Sequence, residues 1–175
     1  REGSILLEKN KSHIIVANHL SKLDPFLILA SLSFSEFLFL APVRFVTSDE
    51  YLSKWYYRVI LLPLGCISTK PRNGKNVLVN LKQYLSQGET IFIFPMGGYR
   101  KKFEKPKVGA VYLEKEVKNS CLLPIKIQFS TPIASGSLFT RSFRTRVTFK
   151  QPFRHTRFPK NLQPLANEVM IKISN

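Results

Sequence analysis

Acidic residues are scarce in this 175-residue chain: 11 Asp and Glu stand against 27 Lys and Arg, for a formal charge of +16. An imbalance of that size selects partners and says nothing about fold. Nucleic acid, an anionic membrane surface and phosphate-bearing substrates all suit it. Cysteine is scarcer still. Cys66 and Cys121 lie far apart, with neither a CxxC pair nor a neighbouring His. That gives no argument for a disulfide framework or a zinc site, and the expectation is a pair of buried, reduced thiols in an intracellular protein. Long apolar runs are missing too. The nearest thing to a membrane span, Pro25 to Pro42, is interrupted by Glu36 and by serines, whereas a span needs roughly 20 predominantly apolar residues. It reads as a helix and loop able to lie on a bilayer without crossing it. No secretory signal, internal repeat or low-complexity tract is visible. The chain opens at Arg1 rather than Met, so we expect an N-terminal segment, where an anchor would sit, to be missing.

Hydrophobic residues make up 44% of the chain and charged ones only 22%, which excludes a disordered or collagen-like polymer. The length suits one domain, residues 1–175, with a proper core. Short apolar runs bounded by polar residues predict strands at His13 to Ala17, Ile91 to Phe94, Leu122 to Ile127 and Arg146 to Phe149. Helical spacing or start signals predict helices at Phe26 to Ser33, Asn76 to Ser86, Gly109 to Val117 and Leu165 to Ile173. Ser130 to Arg146 reads as irregular. Strands alternating with helices imply a single α/β domain with a mixed, largely parallel sheet flanked by helices.

The segment VANHLSKLDPF carries the strongest chemical signal. His19 and Asp24 follow an apolar strand and stand five residues apart. On one continuous helix that spacing leaves them about 140° apart, on different faces. They can pair if His19 lies in the turn after the strand and Asp24 opens the next helix, a start that Asp followed by Pro25 favours. A carboxylate there would fix the imidazole tautomer and stabilise the imidazolium, leaving the second ring nitrogen to take a proton from a hydroxyl. An ordinary Asp-Pro helix start is the alternative.

HLSKLD at 19–24 resembles the His-x4-Asp motif of the glycerolipid acyltransferases of the lysophosphatidate (1-acylglycerol-3-phosphate) acyltransferase type. GCISTK at 65–70 is similar to that family's second block, and the segment from Ile91 to Leu113 to its third, Phe-Pro-Glu-Gly-Thr-Arg with the basic stretch and Gly-Ala helix that follow. LLPIKI at 122–127 is similar to the fourth. The resemblance covers nearly all of the chain from Ile14 on, in the family's order. It implies a glycerol-3-phosphate acyltransferase-like fold, His19 as general base and Asp24 as its orienting partner. It also implies direct transfer of a fatty acyl group from acyl-CoA or acyl-carrier protein to a lysophospholipid hydroxyl. Lys70, Arg72 and Arg100 would contact phosphate, and Phe94, Pro95 and Gly97 stand on the third block. Neither a metal nor a bound cofactor is implied. The sequence departs from the family at Met96, where the family has Glu, and at Gly98–Tyr99, where it has Thr-Arg. A thioether cannot balance a cation as a carboxylate does. The same chemistry on a lyso-lipid without a phosphomonoester therefore stays open, as does a catalytically silent lipid- or nucleic-acid-binding homologue.

Cations and aromatic rings interleave at Lys54 to Arg58, Arg141 to Arg146 and Phe153 to Phe158. Such mixtures suit an anionic membrane surface, where rings sit at headgroup depth. For Trp55 and Tyr57 an ordinary core position is the alternative. Arg100, Lys101, Lys102, Lys105 and Lys107 form a further basic cluster, suited to donor or acceptor phosphates or simply to solvent. Single-stranded nucleic acid would also accept rings over a basic groove, but no nucleic-acid motif accompanies them. The expected setting is the cytoplasmic face of a membrane. His13 and His155 have no partner at a suitable sequence spacing and are expected to be structural or exposed.

Overall fold

Ile14 to Ala17 is apolar at every position, as a strand covered on both faces must be. The computed structural model describes residues 7–70, 76–97, 105–129 and 145–175 and makes this run the centre of the sheet. In chain order the elements are β1 (Ser12–Ala17), α1 (Asp24–Ala30), α2 (Phe34–Leu40), β2 (Val43–Thr47), α3 (Asp49–Leu52), α4 (Trp55–Leu61) and β3 (Cys66–Ser68). They continue with α5 (Val77–Ser86), β4 (Thr90–Ile93), α6 (Gly109–Glu116), β5 (Ser120–Phe129), β6 (Thr145–Phe149) and α7 (Gln163–Ser174). The strand order is β3-β2-β4-β1-β5-β6, with β6 antiparallel to β5 and every other pairing parallel. The sheet is therefore mixed and mostly parallel, as the sequence predicts.

Alternation along β1 divides the core in two. Ile14 and Val16 pack with Leu81 and Leu85 of α5, Val111 and Leu113 of α6, and α7. Ile15 and Ala17 face the other way, toward Ile28 of α1, Leu40 of α2, Phe45 and Phe92. Crossover direction explains which helix goes where. The connections β1 to β2 and β2 to β3 run one way along the sheet, and β3 to β4 and β4 to β5 run back. Right-handed crossovers of opposite direction must place their helices on opposite faces. α1 to α4 thus belong to one face, α5 and α6 to the other.

Two strands have no counterpart in the sequence reading. β2 carries Arg44, which pairs with Glu89 and lies over the Tyr84 ring, so a cation interrupts its apolar run. β3 is three residues long. Pro25 to Pro42, read as a helix and loop, holds two helices. Glu36 closes a capping box with Ser33 at the start of α2, and among the described residues no helix is long and apolar enough to cross a membrane. Gly65 lies between α4 and β3 with φ +80°, and a Cβ there would run into the Val43 carbonyl oxygen. The stretch 130–144, expected to be irregular, lies outside the described residues, while Thr145 and Arg146 belong to β6. Both cysteines are free thiols. Cys121 is buried in β5, and burial pushes its thiol up to about 12; Cys66 is only half-buried, and burial raises its thiol too.

Of the two roles expected for His155, structural or exposed, the structure gives it the structural one, with a partner far away in the sequence. Its Nδ1 lies 2.7 Å from Glu114 Oε2, and its backbone N–H donates to Glu114 Oε1 at 2.7 Å. Both residues are buried, so this pair ties the segment after β6 to α6. His13 is buried as well, set edge-on to Phe39, and burial lowers its pKa. Replacing one member of a buried pair strands the other. His155→Ala should therefore lower the unfolding free energy by about 3 kcal/mol, read from urea denaturation followed by circular dichroism.

Candidate functional site

The β1 connection leaves toward one face and the β4 connection toward the other, although β1 and β4 are neighbours in the sheet. In open α/β sheets, ligands bind outside the carboxyl ends of neighbouring strands whose connections leave toward opposite faces. His19 follows β1 and Phe94 follows β4 directly, so both stand at this point. Their rings stack, with centroids 4.0 Å apart and planes 15° apart. Phe94 in turn packs edge-on against Phe92.

The turn after β1 is built around one carboxylate. Asp24 is completely buried at the start of α1, with Pro25 behind it. Its Oδ2 accepts the backbone N–H of Leu20 at 2.6 Å and of Ser21 at 2.8 Å. The same oxygen lies 2.8 Å from His19 Nδ1. One end of the turn is anchored by Asn18, whose side chain donates to the Ile127 carbonyl at 2.9 Å and accepts the Ile127 N–H at 2.7 Å. The two residues selected from the sequence thus meet, by the turn-then-helix arrangement their spacing requires. With Nδ1–H donated to Asp24, Nε2 carries the ring's lone pair. That arrangement can remove a proton from a hydroxyl and hold the resulting imidazolium against a carboxylate.

Phe94, Pro95 and Gly97 form the turn on the other side. Gly97 N–H donates to Phe94 O at 2.8 Å, and Gly97 has φ +70°. Lys107 N–H donates to Pro95 O at 2.7 Å. The Lys107 side chain lies where a Cβ on Gly97 would go, so an ammonium group sits over this turn. The sequence shows Lys107 only as one member of a basic cluster. Met96 is half-buried in the turn.

Lys70 is placed differently. It is exposed just past β3, its N–H bonded to the Ser68 hydroxyl, which donates to Asp49 Oδ1 at 2.8 Å. It shares the carboxyl edge of the sheet with His19. Three strand steps separate β3 from β1, about 14 Å at the usual spacing. Arg72 and Arg100 lie outside the described residues, as do Lys101, Lys102 and Arg141. Trp55 and Tyr57 are exposed on α4, which removes the core alternative for them.

The chain belongs to the acyltransferase family, whose model, described as Acyltransferase, matches residues 2–128. Over 90 residues, 50% of the chain, it is 27% identical to a Mycoplasma pneumoniae protein named as a probable 1-acyl-sn-glycerol-3-phosphate acyltransferase. The match spans 33% of that relative's length. The fold is similar to that of the 1-acyl-sn-glycerophosphate (LPA) acyltransferase PlsC from Thermotoga maritima. That structure aligns with a TM-score of 0.67 and 20% identity, over 95% of this chain and 66% of that one.

Removing the Asp24 carboxylate would leave two backbone donors and the imidazole without their acceptor. Asp24→Ala should cost about 3 kcal/mol in unfolding free energy. Asp24→Asn keeps an acceptor oxygen and should cost clearly less. Urea unfolding of the two variants side by side checks the ranking.

Proposed function

We propose that the chain moves a fatty acyl group from an acyl-CoA or acyl-carrier-protein thioester to the hydroxyl of a lysophospholipid, 1-acylglycerol-3-phosphate, in phospholipid synthesis at a membrane surface. The observation that carries this reading is the His19–Asp24 pair, joined at 2.8 Å beyond the carboxyl ends of the neighbouring strands β1 and β4. His19 Nε2 takes the proton of the acceptor hydroxyl as that oxygen attacks the thioester carbonyl. Collapse of the tetrahedral intermediate expels the thiolate, which recovers the proton from the imidazolium, giving an ester and a free thiol. Asp24 holds the ring in the required tautomer and stabilises its charged form. Lys70, Arg72 and Arg100 are the proposed acceptor-phosphate contacts, and Phe94, Pro95 and Gly97 shape the wall of the site. Neither a metal nor a bound cofactor enters the scheme.

The test is thiol release from a long-chain acyl-CoA, with and without lysophosphatidic acid, in detergent or vesicles. Acceptor-dependent release is expected. His19→Ala should reduce it by at least about 100-fold with an unchanged circular dichroism spectrum, and Asp24→Asn should do nearly as much. Full activity in His19→Ala would remove the base assignment.

A second acceptor class is favoured by Met96, which brings a neutral thioether to the β4 turn. Under that reading the acceptor is a lyso-lipid lacking a phosphomonoester, such as an aminolipid or a glycolipid. Comparing acceptors at saturating donor separates the two, since a strict need for a terminal phosphate excludes the second.

A further inference from the structure

Apolar surface is distributed very unevenly over this molecule. Among the described residues, every exposed large apolar side chain except Val79 and Ile171 lies between Leu23 and Leu64. That stretch contains α1 to α4, the helices that crossover handedness assigns to one face of the sheet. The extreme case is α4. Its sequence, WYYRVIL, is apolar around most of its circumference, yet none of its residues is buried. A helix of that composition is stable inside a core or against lipid, not in water. Trp55 is 76% exposed, Val59 67% and Ile60 60%.

We propose that the α2–α4 face docks on an anionic lipid surface, with α4 lying flat at the headgroup–acyl boundary. Three observations select lipid as the occupant. First, α4 has seven residues, about 10 Å of helix, so it can lie in one leaflet but cannot cross a core of about 30 Å. Second, Lys54 and Arg58 bracket the Trp55–Tyr57 rings, the arrangement of an interfacial segment. The chain's charge of +16 draws it to anionic headgroups. Of the acidic groups in the stretch, Asp24 is buried against His19, Glu36 caps α2 and Asp49 accepts from Ser68, which leaves Glu50 as the exception. Third, the apolar surface runs up to the site, because Leu23 and Phe26 flank Asp24 and are themselves exposed. This inference rests on the acyl-transfer reading for its purpose, since it brings His19 to where a lyso-lipid resides, but its readout is independent of activity.

Trp55 is the only tryptophan of the chain, so its emission reports on α4 directly. The full chain is titrated with phosphatidylcholine vesicles and with vesicles containing phosphatidylglycerol. The expected result is a shift to shorter wavelength, stronger with the anionic lipid, and quenching by lipids brominated near the headgroup end of the acyl chain. Val59→Ser/Ile60→Ser should weaken vesicle binding at least about tenfold while leaving thermal unfolding unchanged, because both side chains are exposed. Unchanged emission at saturating lipid, or equal binding by the double variant, would overturn the proposal. So would a blue shift that grows with protein concentration in the absence of lipid, alongside a doubled mass, because a second copy would then cover this face. Vesicle binding without acyl transfer would sink the catalytic reading and leave the docking surface standing.

Discussion

A carboxylate withdrawn from water costs several kcal/mol unless other donors replace its hydration. Asp24 has lost all contact with solvent, and its Oδ2 collects donors from three successive residues, His19, Leu20 and Ser21. Two of them are backbone amides, so the carboxylate dictates the path of the chain between β1 and α1. The third is the imidazole, so the same atom dictates the ring's orientation. Loop shape and imidazole orientation are therefore one interaction. Oδ1 has no hydrogen-bond partner among the described residues, which places the whole demand for pairing on Oδ2. A substitution at Asp24 cannot perturb the dyad without perturbing the turn.

Pairing alone does not make a histidine a base. His155 is bonded to a buried carboxylate as tightly as His19 is, at 2.7 Å against 2.8 Å. What separates them is position. His155 is packed between α6 and α7, with Phe153 and Phe158 edge-on to its ring and Glu168 Oε2 3.6 Å from its Nε2. His19 stands past the carboxyl end of β1 with one ring face on Phe94, where two connections part. The first arrangement holds helices together, and the second sets an imidazole at the carboxyl edge of the sheet.

Position is also what the sequence reveals least well. β1, β4 and β5 are legible because strands buried on both faces are continuously apolar. β2 is not, because Arg44 interrupts it to reach Glu89 and Tyr84, which lie about two crossovers later in the chain. The His19–Asp24 pair is legible because it closes within five residues. His155 and Glu114 are 41 residues apart, and no local pattern announces a contact of that kind. Trp55 and Tyr57 show a limit of composition: a core helix and an interfacial one read alike until exposure separates them. Family resemblance groups Lys70 with His19, but only the strand order shows the three steps of sheet between their strands.

A single topological fact underlies both the placement of His19 and the lopsided apolar surface. Because the chain leaves β1 in one direction and β4 in the other, two neighbouring strands send their connections to opposite faces, with His19 and Phe94 just past their carboxyl ends. The same reversal sorts the helices. Those before it, α1 to α4, carry with their flanking residues most of the exposed large apolar side chains among the described residues. Those after it, α5 and α6, bury their apolar stripes against Ile14, Ile91 and Leu122, with Val79 their one exposed large apolar side chain among the described residues. His19 sits at the boundary, on the turn that leads into the apolar half. A fold with all crossovers running one way would draw no such distinction between its faces. The direction of two connections thus sets where His19 and Phe94 meet and which side of the molecule carries most of its exposed apolar side chains.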